Sequence, residues 1–294
     1  MPRPRIHVTA VVPAEVDEAL RQDFETSDSP EGVEGIVSML TTRVDGAFLD
    51  RAGPQLRVVA NYAVGVNNVD LAAAAERNVV VANTPDVLTK ATAELAVGLM
   101  LALLRRIAEG DRFVRRREEW LFSLEFMLGS SLAGKRLLVV GPGRIGRETA
   151  TLAEAFGAHP TFAGRGDDLN AVLAESEVVS LHVPLTPETR HLIDADALRA
   201  MPRTAVLVNT ARGPIVDERG LVDGLRTGEI AGAALDVFER EPVVEEGLLG
   251  LENVVLTPHL GSATRDTRIA MGMLCVDALR AVLLEGRRPA NAVG

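Results

Sequence analysis

The sequence predicts an α/β protein with two parallel sheets. Three observations lead there. Short apolar runs alternate with helical stretches along most of the chain. Most of those runs are continuously apolar, as in strands buried on both faces, which is the pattern of parallel sheets covered by helices. The alternation also starts afresh after a long apolar stretch, Leu95–Leu104, so that 294 residues hold two units, in line with about 150 residues per domain.

In the first unit the predicted strands are Ile6–Ala10, Ile36–Leu40, Arg57–Asn61 and Val79–Ala82, with helices at Pro13–Leu20 and Asp70–Arg77. Leu95–Leu104, between Glu94 and Arg105, reads as a buried core or interface helix. It is too short for a bilayer, which needs about 20 residues. Arg112–Glu119 reads as a solvated helix face, and Leu128–Gly134 as a loop. The second unit offers strands Arg136–Val140, Pro160–Ala163, Val178–Val183, Ala205–Asn209, Ala231–Val237 and Asn253–Leu256. Its helices are Ile145–Phe156, Leu169–Ser176 and Asp217–Thr227. The closing helix, Thr264–Glu285, follows the second unit's last strand and can return to the first. The expected division is therefore residues 1–90 with 266–294, and an inserted unit over 91–265.

Composition narrows the function classes. Hydrophobic residues are 47% and charged residues 24%, as in globular proteins. A net charge of −10 argues against a nucleic-acid binder, which would be basic. The single cysteine, Cys275, rules out a disulfide framework and suits a reducing compartment. His7, Thr9 and Pro13 interrupt the N-terminal apolar stretch, so no signal peptide is expected there; a cytoplasmic protein without membrane contact is. His7, His159 and His191 show no metal-ligand spacing, and no metal is expected. His182 reads as a satisfied buried histidine.

Arg136–Val140 runs directly into Gly141-Pro142-Gly143-Arg144-Ile145-Gly146 and then a helix. This is G-x-G-x-x-G in its required setting of strand, tight turn and helix start. The glycines permit a sharp turn and close approach of a pyrophosphate. Pro142 lacks an amide, but the leading amides of Arg144, Ile145 and Gly146 can face phosphate with the positive end of the helix dipole. The inserted unit is thus read as a Rossmann-like dinucleotide-binding domain. An acid about 20 residues on would mark NAD. Here the second strand ends at Gly164-Arg165 instead. Gly164 makes room and Arg165 can pair with a 2′-phosphate, so NADP(H) is preferred and NAD(H) possible. Arg165 as a solvated loop residue stays open, as do Asp167 and Asp168 as ribose ligands if the loop folds back.

Three later strand ends carry Arg212, Glu241 and His259. In a parallel sheet the carboxyl ends of the strands share one crevice, so the three are plausible neighbours. Arginine clamps a carboxylate and polarises the adjoining carbonyl; histidine donates a proton; a nearby carboxylate orients the imidazole and favours its charged form. That set suits hydride transfer to a 2-oxo acid.

Asn61–Asp70, Asn83–Thr89, the Gly141–Gly146 loop, Leu181–Thr186, Val208–Gly213, Ala234–Glu239 and Thr257–Ser262 together resemble the D-isomer-specific 2-hydroxyacid dehydrogenases, over most of the chain and in the family's order. The glyoxylate/hydroxypyruvate reductase branch is the most similar. Phosphite-oxidising relatives carry lysine where Val64 stands, formate dehydrogenases carry glutamine in place of Glu241, and phosphoglycerate dehydrogenases usually show an arginine near Asn61 and Tyr62. The resemblance implies Arg212 as carboxylate binder, His259 as acid/base and Glu241 as its partner. It implies that the Val64 and Gly65 amides hold the substrate carboxylate. It also implies that Asp236 lies near the nicotinamide, and the expected cofactor set includes Thr210 and Gly261. Substrate pocket size is expected to depend on Leu40, Tyr62 and Trp120. A homodimer is implied, with the helix near residue 100 at its interface. Relatives usually have a further short helix and strand after the second strand, which the shortened stretch 166–176 leaves out. The rival readings are an NAD-dependent enzyme of other specificity and a non-catalytic dinucleotide sensor.

Overall fold

The structure, a computed structural model, describes residues 2–293. Its contacts divide the chain into two compact units, Met1–Leu88 with Ala263–Gly294, and Thr89–Ser262.

In chain order the first unit holds β1 (Arg5–Val8), α1 (Ala14–Asp23), β2 (Glu25–Ser27), β3 (Gly35–Ser38), α2 (Gly46–Ala52), β4 (Val58–Asn61), α3 (Leu71–Glu76) and β5 (Val80–Ala82). The second opens with α4 (Thr89–Leu104) and α5 (Ile107–Arg115), followed by β6 (Arg136–Val140), α6 (Arg144–Ala155), β7 (His159–Ala163) and α7 (Leu169–Leu173). It continues through β8 (Val178–Leu181), α8 (Ala195–Ala200), β9 (Val206–Asn209), α9 (Glu218–Thr227), β10 (Gly232–Leu235), α10 (Glu246–Leu249) and β11 (Val254–Leu256). The chain returns to the first unit as α11 (Arg265–Leu283) and β12 (Ala292–Val293).

The first sheet runs β12-β5-β4-β3-β1-β2, parallel except for β12, which pairs antiparallel with β5. The second runs β11-β10-β9-β8-β6-β7 and is parallel throughout. Every residue of β3, β4, β8, β9 and β10 is buried, which is why these strands read as unbroken apolar runs. Aspartates start many of the helices. Asp45, Asp70, Asp168, Asp194 and Asp217 each accept an amide of the following turn, so part of the acidic excess is local helix capping.

Differences from the sequence reading have simple causes. β2 is a polar three-residue strand and β12 a two-residue one, too short to leave a periodic signal. α2, α8 and α10 also went unread, being two turns or less. The Arg112–Glu119 helix face stops at Arg115, and Arg117 adopts a left-handed φ of 57°. Beyond it Trp120, Leu121, Phe122 and Leu124 are exposed, with Trp120 stacked on Phe126. The apolar α4 is a core helix of its own unit, where Val97, Met100 and Leu103 pack with Leu137, Val139 and Ala153. Among the described residues no helix is long and apolar enough to cross a membrane. The short stretch after β7 holds only α7, and β7 is the sheet edge, with His159, Thr161 and Phe162 exposed.

Candidate active site

The glycine loop follows β6 at the carboxyl edge of the second sheet. Gly141 has φ 101°, and a Cβ there would stand 2.7 Å from the His182 carbonyl oxygen, so neither conformation nor space admits a side chain. A Cβ on Gly146 would overlap the Gly141 carbonyl oxygen, which lets α6 start directly against the turn. Gly143 is the N-cap of α6 and meets nothing within 4 Å of a Cβ position. That open face lies beside the leading amides of Arg144, Ile145 and Gly146. The Thr210 hydroxyl, just after β9, is buried without a hydrogen-bond partner. An open cradle at a helix start and an orphaned hydroxyl at a neighbouring strand end fit a dinucleotide.

At the tip of β7, Gly164 and Arg165 are exposed. The loop does fold back: the Gly164 amide donates to Asp167 Oδ2 at 2.8 Å. Asp168 is taken by α7, accepting the Ala171 amide. The Glu188 carboxyl is held below its ordinary range by the Thr186 hydroxyl and a backbone amide, with a smaller contribution from the Arg165 charge.

Arg212, Glu241 and His259 follow β9, β10 and β11. His259 Nδ1 pairs with Glu241 Oε2 at 2.8 Å, and Glu241 Oε1 accepts the Phe238 amide at 3.0 Å. Burial pushes the Glu241 carboxyl up; the His259 bond and charge, the Phe238 amide and the Arg212 charge outweigh it and hold the carboxyl below its ordinary value. Burial presses the Arg212 guanidinium down, against the Glu241 charge. It donates to the neighbouring Ala211 carbonyl, and among the described residues it makes no ion pair. It is a half-buried cation with no anion within bonding distance among the described residues.

Asp236 is fully buried at the end of β10. Its Oδ1 accepts Thr257 Oγ1 at 2.6 Å and the Leu260 amide at 2.7 Å; Oδ2 accepts the Gly261 amide at 2.8 Å. The His259 amide donates to the Asp236 carbonyl. His259 itself has φ 55°, a left-handed conformation uncommon outside glycine and held here by these bonds. Asp236 and Gly261, both expected at the cofactor, thus bond each other, Asp236 also holds the loop, and the Gly261 carbonyl accepts the Thr92 hydroxyl at 3.0 Å. Gly213 packs against Phe238: a Cβ would overlap the Phe238 carbonyl.

In the first unit the Val64–Gly65 turn is fixed by its carbonyls. The Thr84 amide bonds the Ala63 carbonyl, Asn83 Nδ2 the Val64 carbonyl and Asn61 Nδ2 the Gly65 carbonyl. Each anchored carbonyl sets the amide on the opposite side of its peptide plane, so the Val64 and Gly65 amides are both pre-oriented. Ser38 and Asn68 both donate to Asn61 Oδ1. Tyr62, expected beside the substrate, is instead buried in its unit with its hydroxyl on the Arg268 carbonyl against Gly272.

Sequence reasoning missed the roles of Asn61, Asn83 and Glu218, which hold loops through backbone amides and carbonyls. It also passed over His191, Asp217 and Glu239, whose ligand-type atoms lie within 4.8 Å of one another. Glu239 there already receives the His191 ring and the Glu218 amide, and Asp217 caps α9. His182 bonds Ser180 Oγ through Nε2 at 2.9 Å. Although the residue keeps some exposure, burial of its ring pushes the imidazole down to about 4.

A family model for the D-isomer specific 2-hydroxyacid dehydrogenase NAD-binding domain matches residues 97–261. The glyoxylate reductase of Aeropyrum pernix is 42% identical, covering 100% of this chain and 96% of the relative. That of Thermococcus kodakarensis is 41% identical over 92% of this chain and 91% of its own. The crystal structure of an NADPH-dependent glyoxylate/hydroxypyruvate reductase from Sinorhizobium meliloti, bound to NADP and malonate, superposes with a TM-score of 0.87 at 36% identity, covering 99% and 97% of the two chains. With its dinucleotide cradle and strand-end constellation, the chain belongs to the D-isomer-specific 2-hydroxyacid dehydrogenases and is an NAD(P)-dependent oxidoreductase.

Proposed function

We propose that this enzyme reduces a small 2-oxo acid, glyoxylate or hydroxypyruvate, to the D-2-hydroxy acid with NADPH. The observation that carries the reading is the His259–Glu241 pair at 2.8 Å beside the half-buried Arg212, which makes no ion pair. The names of the relatives point to the same substrates.

Glu241 accepts from His259 Nδ1 and leaves Nε2 for the reaction. Nε2 donates the proton that turns the substrate carbonyl oxygen into a hydroxyl. Arg212 binds the carboxylate through paired N–H groups and stabilises charge developing on the adjoining oxygen. The Val64 and Gly65 amides, pre-oriented by Thr84 and Asn83, add neutral donors for the carboxylate. Asp236 keeps the His259 loop in its left-handed turn. Gly141, Gly143 and the start of α6 would hold the pyrophosphate, with Thr210 available to a cofactor oxygen. When bound, the nicotinamide supplies the hydride.

Arg165 at the β7 tip supports the NADP(H) preference. One observation favours NAD(H) as a second reading: Asp167 folds back onto Gly164, setting a carboxylate at the same tip. The exposed Trp120, Leu121, Phe122 and Leu124 support a homodimer. A panel of glyoxylate, hydroxypyruvate and pyruvate, each with NADPH and NADH, tests the proposal. It predicts fastest loss of nicotinamide absorbance with glyoxylate or hydroxypyruvate and NADPH. NADH outperforming NADPH refutes the cofactor preference, and no turnover with any pair refutes the reductase.

A further inference from the structure

Glu241 lies on an exposed stretch after Phe238, yet its carboxylate is aimed at His259. The loop must therefore be fixed from elsewhere. The peptide joining Phe238 to Glu239 is fixed at both ends. On its carbonyl side it lies against Gly213, the residue after Arg212, where any side chain would overlap it. On its amide side, the Glu239 N–H donates to Glu218 Oε1 at 2.7 Å. Glu218 opens α9, is 3% exposed, and its own amide returns a bond to Glu239 Oε1 at 3.1 Å. Glu239 Oε1 also meets the His191 ring at 3.2 Å. The Phe238 amide, one bond further along, holds Glu241 Oε1. A continuous path thus leads from Glu218 through the 238–239 peptide and the Phe238 amide to Glu241 and His259 Nδ1.

We infer that Glu218 is a positioning residue for the His259–Glu241 pair, acting as a fixed hydrogen-bond acceptor for the 238–239 peptide. The inference rests on the proposed acid/base role of His259. What Glu218 supplies on this reading is an oxygen at one place, not a charge. Burial raises its carboxyl above the ordinary range; the bond from the Glu239 amide works against that rise, and the nearby Glu239 and Glu245 charges add to it. A misplacement of about 1 Å in such a support can cost about 100-fold in rate.

Two substitutions separate place from charge. Glu218→Gln removes the charge and keeps an acceptor at the same reach. Glu218→Asp keeps the charge and retracts the acceptor by one methylene. Steady-state reduction of glyoxylate by NADPH is measured for both, with NADPH affinity by fluorescence and His259→Asn as the reference. The expected order is turnover within about 3-fold of the parent for Glu218→Gln and a loss of about 10-fold or more in kcat for Glu218→Asp, with NADPH affinity unchanged in both. The reverse order, or equal turnover in the two, overturns the inference. Full turnover in His259→Asn would instead overturn the acid/base reading beneath it. Both variants keep a polar acceptor, and a circular dichroism melt within a few degrees of the parent for each keeps the comparison on function.

Discussion

Two parts of the same sheet edge are built in opposite ways. After β9, β10 and β11 the loops are cross-braced around a buried carboxylate: Asp236 carries three hydrogen bonds, Gly213 touches the Phe238 carbonyl, and Glu241 and His259 hold each other. At the tip of β7, Gly164 and Arg165 are exposed, and the turn is closed by the Asp167 carboxylate on one amide. The difference separates two tasks. Proton transfer needs groups placed before the substrate arrives, so the protein itself satisfies and aims them. Cofactor choice turns on one charge near a solvated ribose, which an exposed loop can provide and which evolution can alter at little structural cost.

The largest effect that would break this contrast is at Asp236. Asp236→Ala leaves the Thr257 hydroxyl and the Leu260 and Gly261 amides without their acceptor in a buried place. We expect a loss of about 3 kcal/mol in unfolding free energy and about 100-fold or more in kcat. Urea melts and glyoxylate kinetics check both. A variant as stable and active as the parent would mean that the loop is not braced as described.

His182, under the glycine loop, sharpens the comparison through pH. Its folded-state value of about 4 lies below the ordinary histidine value of about 6.5, so the unfolded chain takes up the proton first. Stability is therefore unaffected above about pH 6.5 and falls as pH drops toward 4. The loss is about 2 kcal/mol by pH 5. His182→Gln should lose correspondingly less between pH 7.5 and 5 in denaturant melts. An unchanged pH slope would place the acid sensitivity elsewhere.

The smallest effect belongs to the exposed tip. Arg165→Ala should lower the NADPH-to-NADH ratio of kcat/KM about 10-fold, close to 1.4 kcal/mol, and leave stability alone. An unchanged ratio would leave Arg165 a solvated loop residue and favour the Asp167 reading.

The same contrast explains what the sequence made legible. Strands β6 and β8–β11 were readable because burial on both faces demands unbroken apolar runs. The glycine loop was readable because backbone crowding at Gly141 and Gly146 admits no other residue. Arg212, Glu241 and His259 could be grouped because a parallel sheet brings strand ends together. Glu218, Asn61 and Asn83 were not readable, because they act through backbone amides and carbonyls far off in sequence. Tyr62 was misplaced as well. It was expected to set pocket size, but its ring is buried in its own unit, with the hydroxyl against Gly272.

The central claim is that His259, held by Glu241, delivers the proton while the rest of the site binds. The most direct measurement compares NADPH oxidation by glyoxylate in the parent and in His259→Asn, with NADPH affinity determined on the same samples. The account predicts a fall of about 1,000-fold in turnover with cofactor affinity unchanged. Turnover within a few-fold of the parent, or a parallel loss of NADPH binding, would contradict it.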